Sequence, residues 1–282
     1  MVIAITNQKG GTGKTTTTIS LAGALGDLGR RVLVVDLDPQ ANATLHAGIA
    51  PEKLDDTIWT AIQQAGQLRS GKLDGDDLRA ILDNMWEVRS FDPAFVPIIH
   101  QPNGNPFDII PSNLELSEAD LVLASSVSRE RRLAAVLSSV QADYDYVLID
   151  CPPHLGVLTL NALTAAQSVI IPLEAAYFAS KGMNQLFRVL LQVKQTLNYQ
   201  LSVLGVLITR LDRRTIHGQQ IANEARKVVS KRVRVFEAEV PMNVDLADAS
   251  AAGLCVTHYA PQSRGAEAYR RLAHEIEGIC YG

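Results

Sequence analysis

Residues 8–18 of this chain, QKGGTGKTTTT, combine three glycines, two lysines and a run of threonines. Glycine lets backbone N–H groups approach an anion without a Cβ in the way, lysine supplies charge, and a threonine hydroxyl can ligate a metal ion. Together these residue types make a phosphate site. Gly10, Gly11, Thr12, Gly13 and Thr16 are expected to form the cradle, Lys14 to meet the β- and γ-phosphates of a nucleotide, and Thr15 to ligate Mg²⁺. Three carboxylates, in two segments, complete the chemistry. VVDLDPQANAT carries Asp36 and Asp38 at the end of an apolar run, where a carboxylate can orient a water or touch the Mg²⁺ shell. YDYVLID ends in Asp150, placed to hold Mg²⁺ through water. Cys151 follows it with no base evident nearby and is read as a small packing residue.

These residues need elements to hold them. Short β-branched runs at 2–6, 32–36, 107–111, 146–150, 168–172 and 203–209 read as buried parallel strands. Residues 15–28 and 181–194 have helical period, the first stopping before Gly29. Strand and helix in alternation predict an α/β P-loop NTPase fold. Its sheet is mainly parallel and twisted, with helices on both faces and sites at the strand C-termini. One domain over 1–282 is expected, with an insertion after the second strand at about 51–106 holding helices at 56–65 and 76–85. The glycine-rich loop then lies between a strand and a helix N-terminus, the context that makes the phosphate reading specific.

The usual pattern has glycine at position 8, where this chain has Gln8 followed by Lys9. K-G-G-x-G-K-[ST] is the deviant Walker A motif, and here the chain resembles the ParA/MinD group of P-loop ATPases. The resemblance implies that Lys9 reaches the ATP of a second copy in a homodimer, while Lys14 serves its own nucleotide. It implies that Asp38, in D-x-D-P-Q, positions the attacking water and that Asp36 supports the metal region. CPPHLG after Asp150 resembles a switch segment in which relatives usually carry serine at the position of His154. ITRLDRRT, VPMNVDLADA and SRGAEAYRRLA match the ParA branch better than the MinD branch. That implies an adenine-facing loop at Pro241, Met242 and Asn243, slow Mg-dependent ATP hydrolysis, and a ParB-like or other adaptor that stimulates it.

Charge is unevenly distributed. The chain has a formal charge of −4, yet residues 210–234 hold eight basic side chains against two acidic ones. Arg210, Arg213, Arg214, Arg226, Lys227, Lys231, Arg232 and Arg234 form the expected contact for double-stranded DNA, without base reading. Few aromatics interleave with them, which disfavours single-strand stacking. Asp245 stands where relatives carry an arginine, so this contact is expected to be weaker than theirs. Three well-separated cysteines argue against a zinc site or iron–sulfur cluster within one chain. No basic leader opens the sequence and no apolar run reaches the roughly 18 residues a membrane span needs. A cytoplasmic, nucleoid-associated protein is expected. A MinD-like membrane switch or a positioning or regulatory ATPase remain the alternatives, the former needing an amphipathic basic helix beyond the last predicted one at about 264–279.

Overall fold

A computed structural model describes residues 1–65, 98–174, 181–212 and 216–281, without the side chains of 181–183, 216–218 and 221. Its strands are β1 (Val2–Ile5), β2 (Val32–Asp36), β3 (Asp108–Ile110), β4 (Tyr146–Asp150), β5 (Ser168–Glu174), β6 (Ser202–Leu211) and β7 (Val235–Pro241). They form one sheet in the order β3-β2-β4-β1-β5-β6-β7, every neighbouring pair parallel. The described helices are α1 (Lys14–Asp27), α2 (Asn42–His46), α3 (Ile58–Gln64), α4 (Ala119–Val122), α5 (Arg132–Ser138) and α6 (Val157–Ala165). They continue with α7 (Lys181–Thr196), α8 (Ile216–Val229), α9 (Asp245–Ala251), α10 (Val256–Tyr259) and α11 (Arg264–Tyr281).

The strands are near-continuous apolar runs because both faces of the sheet are covered. Alternate residues feed two cores. Val2, Ala4, Leu33, Val35, Val147 and Ile149 join Ile58, Leu133, Leu158 and Leu186 on one face. Ile3, Ile5, Val34, Tyr146 and Leu148 join Ile19, Leu25, Tyr269 and Leu272 on the other. Helix α1 is sandwiched between the sheet and α11, which is why ten of its fourteen residues are buried. It stops where Gly29 takes a left-handed φ of 79°.

The range expected to be an insertion is anchored in the fold where it is described. Thr57 opens α3 with a reciprocal capping box, Trp59 N–H donating to Thr57 Oγ1 at 3.2 Å and Thr57 N–H to Thr60 Oγ1 at 3.3 Å. Ile58, Trp59 and Ile62 of α3 are core residues, and His100 makes an antiparallel bridge to Ile109 of β3. The helix expected at 76–85 lies outside the described residues. Among the described residues no helix is long and apolar enough to cross a membrane.

Candidate nucleotide site

The parallel sheet delivers its strand ends to one rim, and β1 is central. The loop leaving β1 turns into α1 through left-handed Gly11 (φ 73°) and Gly13 (φ 85°), backbone that a side chain would strain. The loop therefore leads straight into the N-terminus of a 14-residue helix, whose free amides favour an anion. Neighbouring strands hold the loop in place. Asn7 Nδ2 donates to Pro172 O of β5 at 2.7 Å, and Thr209 Oγ1 of β6 donates to Thr12 O at 2.8 Å.

The two lysines sit differently. Lys14 is buried at 7% exposure, its ammonium 3.4 Å from the Lys9 carbonyl. The Lys9 side chain is 34% exposed and pairs with Glu174 Oε2 at 2.6 Å.

Two of the carboxylates stand together at the rim. Asp36 and Asp150 are side by side at the ends of β2 and β4, both fully buried. Burial pushes the Asp150 carboxyl up to about 8, and the neighbouring Asp36 adds to the shift. Burial likewise raises Asp36 to about 6. Thr15 Oγ1 donates to Asp150 Oδ2 at 2.7 Å and Thr18 Oγ1 to Asp150 Oδ1 at 3.2 Å. Acidic groups crowded this way beside a threonine hydroxyl suit a divalent cation. Among the described residues no cluster of three or more His, Cys, Asp or Glu forms a metal site of its own. Mg²⁺ meets that limit, since it keeps several waters and is held by few protein ligands plus phosphate oxygens. Thr15 and Asp150 fit it, with Asp38 at the edge of the same cluster.

Asp36 has a role beyond the one expected. Thr44 donates its N–H (2.8 Å) and hydroxyl (2.7 Å) to Asp36 Oδ2, and Asp38 N–H donates to Oδ1 (3.1 Å). Asp36 therefore anchors the loop that carries Asp38. Ser112 N–H donates to Thr44 Oγ1 and Ser112 Oγ to Asp38 O, both at 2.9 Å. Asp38 is left buried at 7%, with Oδ1 accepting from Gln40 N–H at 3.0 Å. Sequence reasoning missed Thr44 and Ser112, whose types are ordinary for any loop. It also missed Asp120, which accepts from Val157 N–H at 2.9 Å, capping α6, and lies 3.7 Å from His154. Cys151 is buried and its thiol is pushed well up by burial, in keeping with a packing role.

Pro241, Met242 and Asn243 leave β7 at the same rim. Met242 N–H donates to Leu211 O at 3.1 Å, and Asn243 Oδ1 accepts from Asp245 N–H at 2.8 Å, opening α9. Asp245 thus stands in the first turn of a helix, where a negative charge is favoured.

The basic stretch is not one stripe. Arg210, with a left-handed φ of 54°, points its guanidinium at Gly11 O (3.5 Å) and Glu174 Oε1 (3.9 Å), so it belongs to the phosphate rim. Arg213 and Arg214 lie outside the described residues. Arg226 is turned onto β7, bonded to Phe236 O and Glu239 Oε1 at 2.9 Å and Glu237 Oε1 at 3.2 Å. Among the described residues, Lys227, Lys231, Arg232 and Arg234 are exposed as a group, around the end of α8 and the start of β7. The 14 residues of α8 put them about 21 Å from the rim. The physical reason is that α8 runs back along the sheet, so charges adjacent in sequence reach opposite ends.

A family model described as an AAA domain matches residues 1–203. The chain is 40% identical over 275 residues to sporulation initiation inhibitor protein Soj of Bacillus subtilis, covering 98% of this chain and 97% of that protein. It is 37% identical to the chromosome partitioning protein ParA of Myxococcus xanthus, covering 98% and 87%. Among solved structures, cobyrinic acid a,c-diamide synthase from Mycobacterium smegmatis with bound ATP analog and magnesium superposes with a TM-score of 0.79 at 32% identity. The match covers 100% of this chain and 96% of that one. With the phosphate loop, the paired carboxylates and the parallel sheet in place, this chain belongs to the ParA/Soj/MinD family of P-loop ATPases.

Proposed function

We propose that the chain is a Mg-dependent ATPase switch of the partition type, which dimerises on ATP, binds double-stranded DNA without sequence preference as a dimer, and lets go when ATP is hydrolysed. The observation that carries this reading is the unequal placement of the two lysines. Lys14 is buried against its own loop, whereas Lys9 stands at the mouth with a third of its side chain exposed. One serves the nucleotide in cis and the other serves that of a second copy.

Thr15 and Asp150 would hold Mg²⁺, which would neutralise charge on the phosphate oxygens when bound. Asp38 orients the attacking water, held in place by Asp36, Thr44 and Ser112. Turnover is low without an adaptor protein that stimulates it. Pro241, Met242 and Asn243 border the adenine. Segregation or positioning of a chromosome, plasmid or other cargo follows, in line with the name of the chromosome partitioning protein ParA relative.

DNA contact falls to Lys227, Lys231, Arg232 and Arg234. If each protomer neutralises about three phosphates, log K against log salt has a slope of roughly −3 for a monomer and −5 to −6 for a dimer. A mobility-shift series on duplex DNA with ATP, from ~50 to 200 mM salt, tests this. The expected result is an ATP-dependent shift with the steeper slope, lost in Lys231→Glu with Arg232→Glu while ATP hydrolysis stays unchanged. ATP-dependent binding to anionic vesicles with no DNA shift would contradict it.

A further inference from the structure

Glu174 is an unexpected residue beside a phosphate loop. It ends β5 and lies opposite Thr209 of β6, whose hydroxyl holds the loop at Thr12 O. A bare carboxylate there repels the anion the loop is built to hold. Here two cations from different elements meet its two oxygens. Lys9 is on Oε2 at 2.6 Å, and Arg210 is 3.9 Å from Oε1. Arg210 reaches it from left-handed backbone and also faces Gly11 O at 3.5 Å.

We propose that Glu174 is a positioning residue that parks Lys9 in cis in the single subunit, so that assembling the two-subunit nucleotide site requires Lys9 to exchange Glu174 for a phosphate of the partner copy. This rests on the cross-subunit role of Lys9 given above. Arg210 makes the exchange workable, because it is already placed to keep Glu174 neutralised after Lys9 leaves.

The pair is open enough to break, with the two side chains 34% and 23% exposed. Ion pairs of that exposure are worth up to about 1 kcal/mol, which is about fivefold in an equilibrium constant for each protomer and about 25-fold for a dimer with two such exchanges. The contact therefore raises the threshold for dimerisation without forbidding it.

Glu174→Gln keeps the shape and removes the charge. In Mg²⁺ with a slowly hydrolysed ATP analogue, analytical ultracentrifugation should give a dimer dissociation constant about 5- to 25-fold lower than wild type. In nucleotide-free monomer, trace acetylation followed by mass spectrometry should label Lys9 about two- to fivefold faster than in wild type, with exposed Lys53 as the internal reference. A purely structural role for Glu174 would leave the second rate unmoved. A dimer constant within twofold of wild type, or a weaker dimer, overturns the proposal, and so does an unchanged Lys9 labelling rate. If wild type forms no dimer with the analogue, the cross-subunit reading itself fails, whereas a wild-type dimer with no shift in the variant removes only the parking role.

Discussion

At the scale of single residues, buried polar groups at the rim act through one another. Asp38 is the clearest case. Its backbone and one oxygen are fixed by Asp36, Ser112 and Gln40, leaving a carboxylate in a set position beside the phosphate loop. Asp38→Ala should still bind ATP and dimerise, and should hydrolyse about 10²- to 10⁴-fold more slowly in single-turnover measurements, the range that a positioned base contributes. An unchanged rate would remove Asp38 from the chemistry. Thr44 carries the loop behind it. Thr44→Val deletes a buried hydroxyl that donates to Asp36 and accepts from Ser112, leaving Ser112 N–H without its acceptor and Asp36 Oδ2 with only the Thr44 N–H. Denaturant unfolding should show a loss of about 1–3 kcal/mol, together with slower hydrolysis, because the loop bearing Asp38 loses its tie.

At the scale of elements, α1 and α11 form one unit on one face of the sheet. Tyr269, Leu272 and Ile276 of α11 are buried against the core that holds α1, and Tyr269 Oη and Thr17 Oγ1 are 3.2 Å apart across the contact. Leu272→Ala should cost about 2–5 kcal/mol in urea unfolding, the usual range for a buried leucine. Because α1 also carries the phosphate loop, ATP affinity should fall with it. The elements were the most legible part of the sequence. Unbroken apolar runs marked the buried strands except β7, whose VFEAEVP is interrupted by two glutamates, and G-K-T between a strand and a helix marked the loop. Asp150 could be read because it ends an apolar run. Contacts between elements were not legible. Glu174 is 165 residues from Lys9, and only the β1–β5 neighbourhood brings them together. The basic stretch misled for a related reason, since charge was counted along the chain while α8 reverses direction. Glu237 and Glu239, two apart and so on one face of β7, were the available sign that Arg226 is paired.

At the scale of the whole molecule, the fold puts the nucleotide rim and the exposed basic cluster at opposite ends of α8. A dimer made at the rim therefore leaves Lys227, Lys231, Arg232 and Arg234 of each copy open to DNA, and doubling the number of phosphates met doubles the salt slope. In the proposed switch, ATP would act on DNA occupancy through assembly alone, with no change needed in the basic surface itself. Everything then depends on whether ATP makes the dimer through Lys9. The direct measurement is molar mass by light scattering, with Mg-ATP and without nucleotide, for wild type and Lys9→Ala, after titration has shown that both bind ATP. Wild type should double its mass with ATP and Lys9→Ala should stay a monomer. A Lys9→Ala protein that dimerises like wild type would contradict the account.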